Sequence, residues 1–265
     1  MDSSIGNFLD TNVVFDGTFE YRLNRKNFLK FLKGFNYKQL CIETVVSLEA
    51  VEVICETFQL ITPIIRNAIF NSDWDNLDDK KRGILLSEIS NNIDTDKEII
   101  NYRRLEFAQE AYKQFFPLCL TETKNDIQVL LRTIPDAYAA NFRVKLDTLF
   151  EILQSYMEDK EYNNYNSTLR KINDDERVFI GRDTNDFKIL CSLLSILQFG
   201  AHDFDYGEYH SFNNIKFYGR DKDFLTNLQK FKNLIEKSKD SSNHTDLVKK
   251  DINNFELIHP YLSNT

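Results

Sequence analysis

The chain has 265 residues with 8 glycines and 4 prolines, where average usage would give about 19 and about 13. So few turn residues argue against a many-stranded sandwich or barrel, which needs a turn at every hairpin. A hydrophobic fraction of 42%, mean hydropathy −0.43 and a formal charge of −8 describe a globular protein. They exclude a disordered chain and a protein that grips nucleic acid by bulk positive potential. They do not exclude a nuclease, whose metal-binding carboxylates are themselves acidic.

In chain order, Ile5–Asp10 and Gln39–Ile42 read as short strands, each with an amphipathic segment after it, Arg25 to Phe35 and Thr44 onward. Helical periodicity then dominates: Thr44 to Phe70, Asp78 to Ser90, Asp96 to Phe115 and Pro135 to Met157. Asp94 to Glu98 reads as a helix start with acids in its first turn, and Pro135 as a first-turn proline. Strand-like runs return at Val178–Ile180, Ile215–Tyr218 and Phe255–Ile258, accompanied by helical segments Asn185 to Phe199 and Asp223 to Lys237. The polar run Lys237 to His244 reads as a surface loop.

Strands alternating with helices at this spacing predict a parallel sheet covered by helices on both faces. Between Gly34 and Gly181 there is only Gly83, so the expected architecture is an α/β domain divided by a long all-helical insertion. The expected boundaries are 1–61 and 174–265 for the two parts of the α/β domain and 62–173 for the insertion. Cys41, Cys55, Cys119 and Cys191 are scattered through apolar runs without metal spacing, which suits reduced packing cysteines in a cytoplasmic protein. No leader pattern or run of about 18 apolar residues is visible. The four histidines show no ligand spacing.

On this frame, acids fall at strand ends and helix starts: Asp10 in FLDTNVVF, Asp221 in IKFYGRDKDF and Asp186 in NDFKILCSLL. Glu49 lies within the helix of ETVVSLEAVEV. The carboxyl ends of parallel strands share one edge of the sheet, where ligands bind. Carboxylates in apolar company are expensive to ionise unless paired or bound to a cation. Hard oxygen donors predict Mg²⁺ or Mn²⁺. The competing structural reading is that individual acids cap helices or pair with Lys and Arg.

These segments resemble the PIN-domain family of metal-dependent ribonucleases. FLDTNVVF is similar to its opening strand, with Asp10 as first acid and Asn12 as companion. ETVVSLEAVEV is similar to its second segment and makes Glu49, not Glu43, the match. NDFKILCSLL is similar to the third, with Asp186 followed by Ile189. FYGRDKDF is similar to the fourth, with Asp221 and its neighbour Asp223, and FELIHPYL is similar to the final strand. The resemblance covers about residues 1–60 and 176–262. It implies a PIN-like α/β/α fold and an endoribonuclease in which Asp10, Glu49, Asp186 and Asp221 are catalytic. Asp183 and Asp223 join these four as metal-ligand candidates, Thr11 and Asn12 support them, and Arg220 and Lys222 contact the RNA backbone. The biological setting implied is a toxin or defence effector, and the helical insertion is a candidate surface for self-association or a protein partner.

Two other functions compete. VFIGRDTND and FLDTN resemble motifs of haloacid-dehalogenase-type phosphatases, but that chemistry needs a second aspartate where this chain has Asn12. A catalytically inactive PIN-like interaction scaffold is the third.

Overall fold

Short apolar runs supply the central strands, in which Phe8, Leu9, Ile42, Ile215 and Phe217 are buried. In the computed structural model, seven strands form one sheet: β1 (Ile5–Leu9), β2 (Cys41–Glu43), β3 (Glu151–Ser155), β4 (Ala201–Asp203), β5 (Tyr209–His210), β6 (Asn214–Tyr218) and β7 (Phe255–Ile258). The structure describes the chain except residues 1–3, 20, 21, 23, 36–38, 96–108, 110–112, 114, 156–159, 181–183, 204–206, 238–242 and 263–265.

The strand order is β5-β4-β3-β2-β1-β6-β7. The five strands from β3 through β7 in that order are parallel, while β4 and β5 add an antiparallel edge. The protein is therefore α/β with a mostly parallel sheet.

The described helices are α1 (Thr11–Thr18), α2 (Arg25–Leu32), α3 (Thr44–Asn71), α4 (Asp79–Thr95), α5 (Lys124–Leu149), α6 (Lys160–Glu176), α7 (Thr184–Phe199), α8 (Lys222–Lys237) and α9 (Asn243–Asn253). Successive strand residues face opposite sides, which shows that helices cover both faces. Phe217 meets Phe224 of α8, with ring centroids 5.5 Å apart, while Tyr218 meets Phe31 of α2 at 4.9 Å. On the α8 side, α7 packs against β2, β3 and β6, and α6 and α9 pack against α7. On the other side Gly17 lets α1 approach α2 closely, since a Cβ there would lie 2.7 Å from Phe28 Cζ.

The chain divides into two compact units. The first is 1–18, 26–49 and 146–265, and the second is 19–25 and 50–145. The first contains the whole sheet. The second is helical among its described residues and is built on apolar side chains such as Ile61, Ile69, Ile93 and the fully buried Trp74. Trp74 Nε1 donates to Glu122 O at 2.9 Å, and Arg82 lies 5.1 Å from the indole centre.

Several expectations change. The helical unit runs from Ala50 to Lys145 with a short earlier piece, rather than over 62–173, because β3 lies within that range and pairs with β2 through Cys41↔Glu151. The helix expected from Pro135 to Met157 instead starts at Lys124 and stops at Leu149. A reciprocal cap sets its true start: Thr123 Oγ1 donates to Asp126 Oδ2 at 2.6 Å and accepts from Asp126 N at 3.3 Å. Pro135 is therefore interior to α5.

Val178–Ile180 is not a strand. The amide of Asn173 takes the place of a strand partner, accepting from Phe179 N at 2.8 Å and donating to Phe179 O at 3.3 Å. Asp94 and Thr95 end α4 rather than start a helix. The hairpin of β4 and β5 and the helix α9 had no strong periodic signal. Most of the helix expected over Asp96 to Phe115, and residues 238–242 of the expected loop, lie outside the described residues.

Candidate functional site at the carboxyl edge of the sheet

The chain leaves β1 for β2 and β3 on one side, and later returns as β6 and β7 on the other. The boundary between β1 and β6 is thus the switch point of the sheet, where adjacent connections diverge and open a crevice at the carboxyl ends. Leu9 pairs with Tyr218 at this boundary, and Asp10 N donates to Tyr218 O at 2.9 Å. Asp10 follows β1 directly, and Asp221 comes three residues after the end of β6.

Both residues are junctions between a strand and a helix. Asp10 O accepts from Val13 N and Val14 N, both at 2.9 Å, to start α1. Asp221 Oδ1 accepts from Asp223 N at 2.8 Å and caps α8. Glu43 does the same at the end of β2, accepting from Val45 N at 2.5 Å. Capping thus explains one carboxylate oxygen of Asp221 and one of Glu43.

It does not explain the electrostatics around Asp10. That side chain is buried, and its pKa is pushed up to about 7, first by desolvation and then by the negative charge of Glu49, with Asp221 adding to it. Asn12 opposes the shift, its Nδ2 donating to Asp10 Oδ2 at 3.4 Å. Glu49, half-buried in the second turn of α3, accepts a hydrogen bond from Thr11 Oγ1. Two of the expected acids, Glu49 and Asp221, therefore both act on Asp10, while Thr11 touches Glu49 and Asn12 touches Asp10.

The remaining expected residues are placed differently. Asp186 is half-buried in the first turn of α7. Asp223 is exposed in the first turn of α8. Asp183 lies outside the described residues. Among the described residues, no three His, Cys, Asp or Glu side chains come together closely enough to hold a metal ion.

Arg220, expected to meet the nucleic-acid backbone, is placed against Asp16 with its side chain 22% accessible. Its Nη2 donates to Asp16 Oδ1 at 3.2 Å and to Asn12 O at 3.3 Å. Its Nε lies 3.1 Å from Asp16 Oδ2 but is not aimed for a hydrogen bond, so that contact is one of charge. Asp16 is fully buried and also accepts from Tyr261 Oη at 2.7 Å. This clamp joins α1 to the loop that carries Asp221, and hence fixes Asp221 relative to Asp10. Lys222 is exposed. The His259 pKa is lowered by burial and then by the positive charges of Arg220 and Lys222, which places a cationic flank beside the acids.

Asp16, Tyr261 and Glu43 were missed as contributors. Asp16 has a legible signal, a carboxylate inside the apolar run NVVFDGTF, but its partners lie more than 200 positions away. Glu43 is more buried than Glu49 and accepts from Ser192 Oγ at 2.6 Å, with its pKa raised by burial to about 7. A cavity of about 500 Å³ lies at the opposite edge, beside Ile5, Asn214 and Asn254 at the start of their strands.

Compared with family models, curated proteins and solved structures, the chain matches none. The candidate site rests on its own geometry. Among the described residues no helix is long and apolar enough to cross a membrane.

Proposed function

We propose that the protein is a metal-dependent nuclease that hydrolyses RNA phosphodiester bonds at the carboxyl edge of its sheet, with a PIN-like arrangement of acids. One observation carries the reading: Asp10 and Asp221 follow adjacent parallel strands at the switch point, and Glu49 bears on the buried Asp10. Caps and ion pairs account for Asp221 and Arg220 individually, whereas Asp10 has no ion pair among the described residues and is opposed by its like-charged neighbours.

The donor set fits a hard divalent cation in its chemistry, being all carboxylate oxygen. Asp10, Glu49 and Asp221 are the candidates to hold Mg²⁺ or Mn²⁺, with Asp186 as a further one, and they would have to close around the ion, since as placed no three of them come near enough to hold it. A bound ion of this type activates water and steadies charge on phosphate oxygens. The chain's own contributions are positional. Thr11 orients Glu49, Asn12 orients Asp10, and the Asp16–Arg220 clamp holds the Asp221 loop. Lys222, exposed beside Asp221, supplies positive charge toward a polyanion. The phosphatase reading is weaker, since residues 178–180 form no strand before GRDTND and Asn12 cannot supply the acid proton.

The test is cleavage of a labelled single-stranded RNA in Mn²⁺ and in EDTA, with Asp10→Asn and Asp221→Asn. Asparagine at 221 can still cap α8, so it isolates the loss of charge. Metal-dependent cleavage that both variants lose supports the proposal. Cleavage that survives both, or hydrolysis confined to a small phosphomonoester, overturns it.

A further inference from the structure

Within an acidic chain, α2 and the turn after it are basic. Lys26, Lys30 and Lys33 recur at helical spacing and are exposed, and no ion pair among the described residues involves them. The apolar face of the same segment turns inward through Phe28, which is 2% exposed. Beside it lie the half-buried rings of Phe31, Phe35 and Tyr261, with Phe31 and Phe35 against the buried Tyr218. Phe31 and Phe35 are 4.9 Å apart, and Phe31 lies 4.9 Å from Tyr218 and 6.4 Å from Tyr261. Tyr218 is the residue whose carbonyl accepts from Asp10 N. The basic and aromatic surface thus adjoins the carboxyl edge of β1 and β6.

We propose that this surface, Lys26, Lys30 and Lys33 with Phe31, Phe35 and Tyr261, binds single-stranded nucleic acid and leads it toward Asp10 and Asp221. The proposal rests on the nuclease reading for its direction but not for its binding chemistry. Unpaired bases stack on partly exposed rings while lysines follow the phosphates, a pairing of features that a duplex cannot use because its bases are already stacked. An anionic membrane would also attract the lysines, but it requires an apolar face to insert. Here Phe28 is taken up by packing against Phe150, with ring centroids 6.4 Å apart, which leaves Leu29 and Leu32 as the exposed aliphatic side chains of α2.

The experiment measures binding in EDTA, where no metal-dependent cleavage occurs, by anisotropy of a short fluorescein-labelled polyuridine strand. A duplex of equal length and vesicles containing phosphatidylserine serve as competing probes. The intact protein should prefer the single strand. Reversing the three lysines to glutamate should lower affinity more than tenfold and flatten the log–log salt dependence by about 2, from roughly 0.7 per phosphate contact. Phe35→Ala should weaken binding roughly 5- to 150-fold, the range for loss of one stacked base. Circular dichroism checks that each variant folds, and the lysine variant decides the matter if Phe35→Ala does not. Unchanged affinity and salt slope in the lysine variant overturn the proposal, as does preference for duplex or vesicles. Binding through α2 without any cleavage would sink the nuclease reading alone. Cleavage with α2-independent binding would sink this surface alone.

Discussion

Replacing Asp16 with asparagine keeps the size of the side chain and removes its charge from a fully buried position. The residue would lose a charge-assisted bond from Arg220 Nη2 and the Coulombic contact with Nε, and one of its two oxygens becomes an NH₂ group facing a donor. Breaking a fully buried ion pair from one side costs about 3–5 kcal/mol. The Arg220 side chain is 22% accessible, so water recovers part of this and a loss of about 2–3 kcal/mol is expected. At about 2–4 °C per kcal/mol for a chain of this size class, the unfolding midpoint should fall roughly 4–12 °C. The assay is a double-mutant cycle with Arg220→Met, followed by urea denaturation and by cleavage activity. The double variant should be more stable than the sum of the two single losses predicts, because it leaves no charge unpaired. If the single effects add within about 0.5 kcal/mol, the clamp is not an energetic unit and its proposed role in fixing the Asp221 loop fails.

Other consequences concern the acids and the helical unit. A carboxyl whose pKa is raised from 3.8 in the open chain to about 7 in the fold favours the folded state fully only while protonated. Its contribution is therefore lost as pH rises between these values. In EDTA, Asp10→Asn should melt above the unmodified protein at pH 8 and near it at pH 4, and Mn²⁺ should close the gap by raising only the unmodified protein. A melting difference independent of pH would contradict this. Ser192→Ala removes the hydroxyl donor of Glu43 and should cost about 1–3 kcal/mol, measured by urea denaturation, whereas a neutral effect would mean that water replaces it. Trp74 is the single tryptophan and is buried in the helical unit, so its fluorescence reports that unit. Trp74→Phe should cost about 1–3 kcal/mol of that unit's stability in a hydrogen–deuterium exchange measurement, through loss of the bond to Glu122 and of ring contacts. Equal destabilisation of exchange in β1 and β6 would show that the two units unfold together.

Local patterns determined much of the sheet. The strands Ile5–Leu9, Asn214–Tyr218 and Phe255–Ile258 are apolar runs too short for helices, and the chain around them alternates between the two periods. The acids after β1 and β6 were legible for the same reason, since a carboxylate within three residues of a buried strand's end stands out against its neighbours. β3 was not legible, because Glu151–Ser155 continues a helical pattern and becomes a strand only by pairing with β2 and β4. Val178–Ile180 failed in the opposite sense, as the Asn173 amide satisfied a backbone that had the composition of a strand.

The sequence by itself determined an α/β chain with acids at strand ends and a helical segment between its parts. Periodicity and capping depend on neighbours a few residues apart, so they can be read along the chain. Only the tertiary structure decided that Arg220 belongs to Asp16, that Glu43 belongs to Ser192, and that Asp10 lies under the charges of both Glu49 and Asp221. Those are choices among partners separated by tens to hundreds of positions, and burial decides them by leaving each charged group only the neighbours that the sheet brings to its edge.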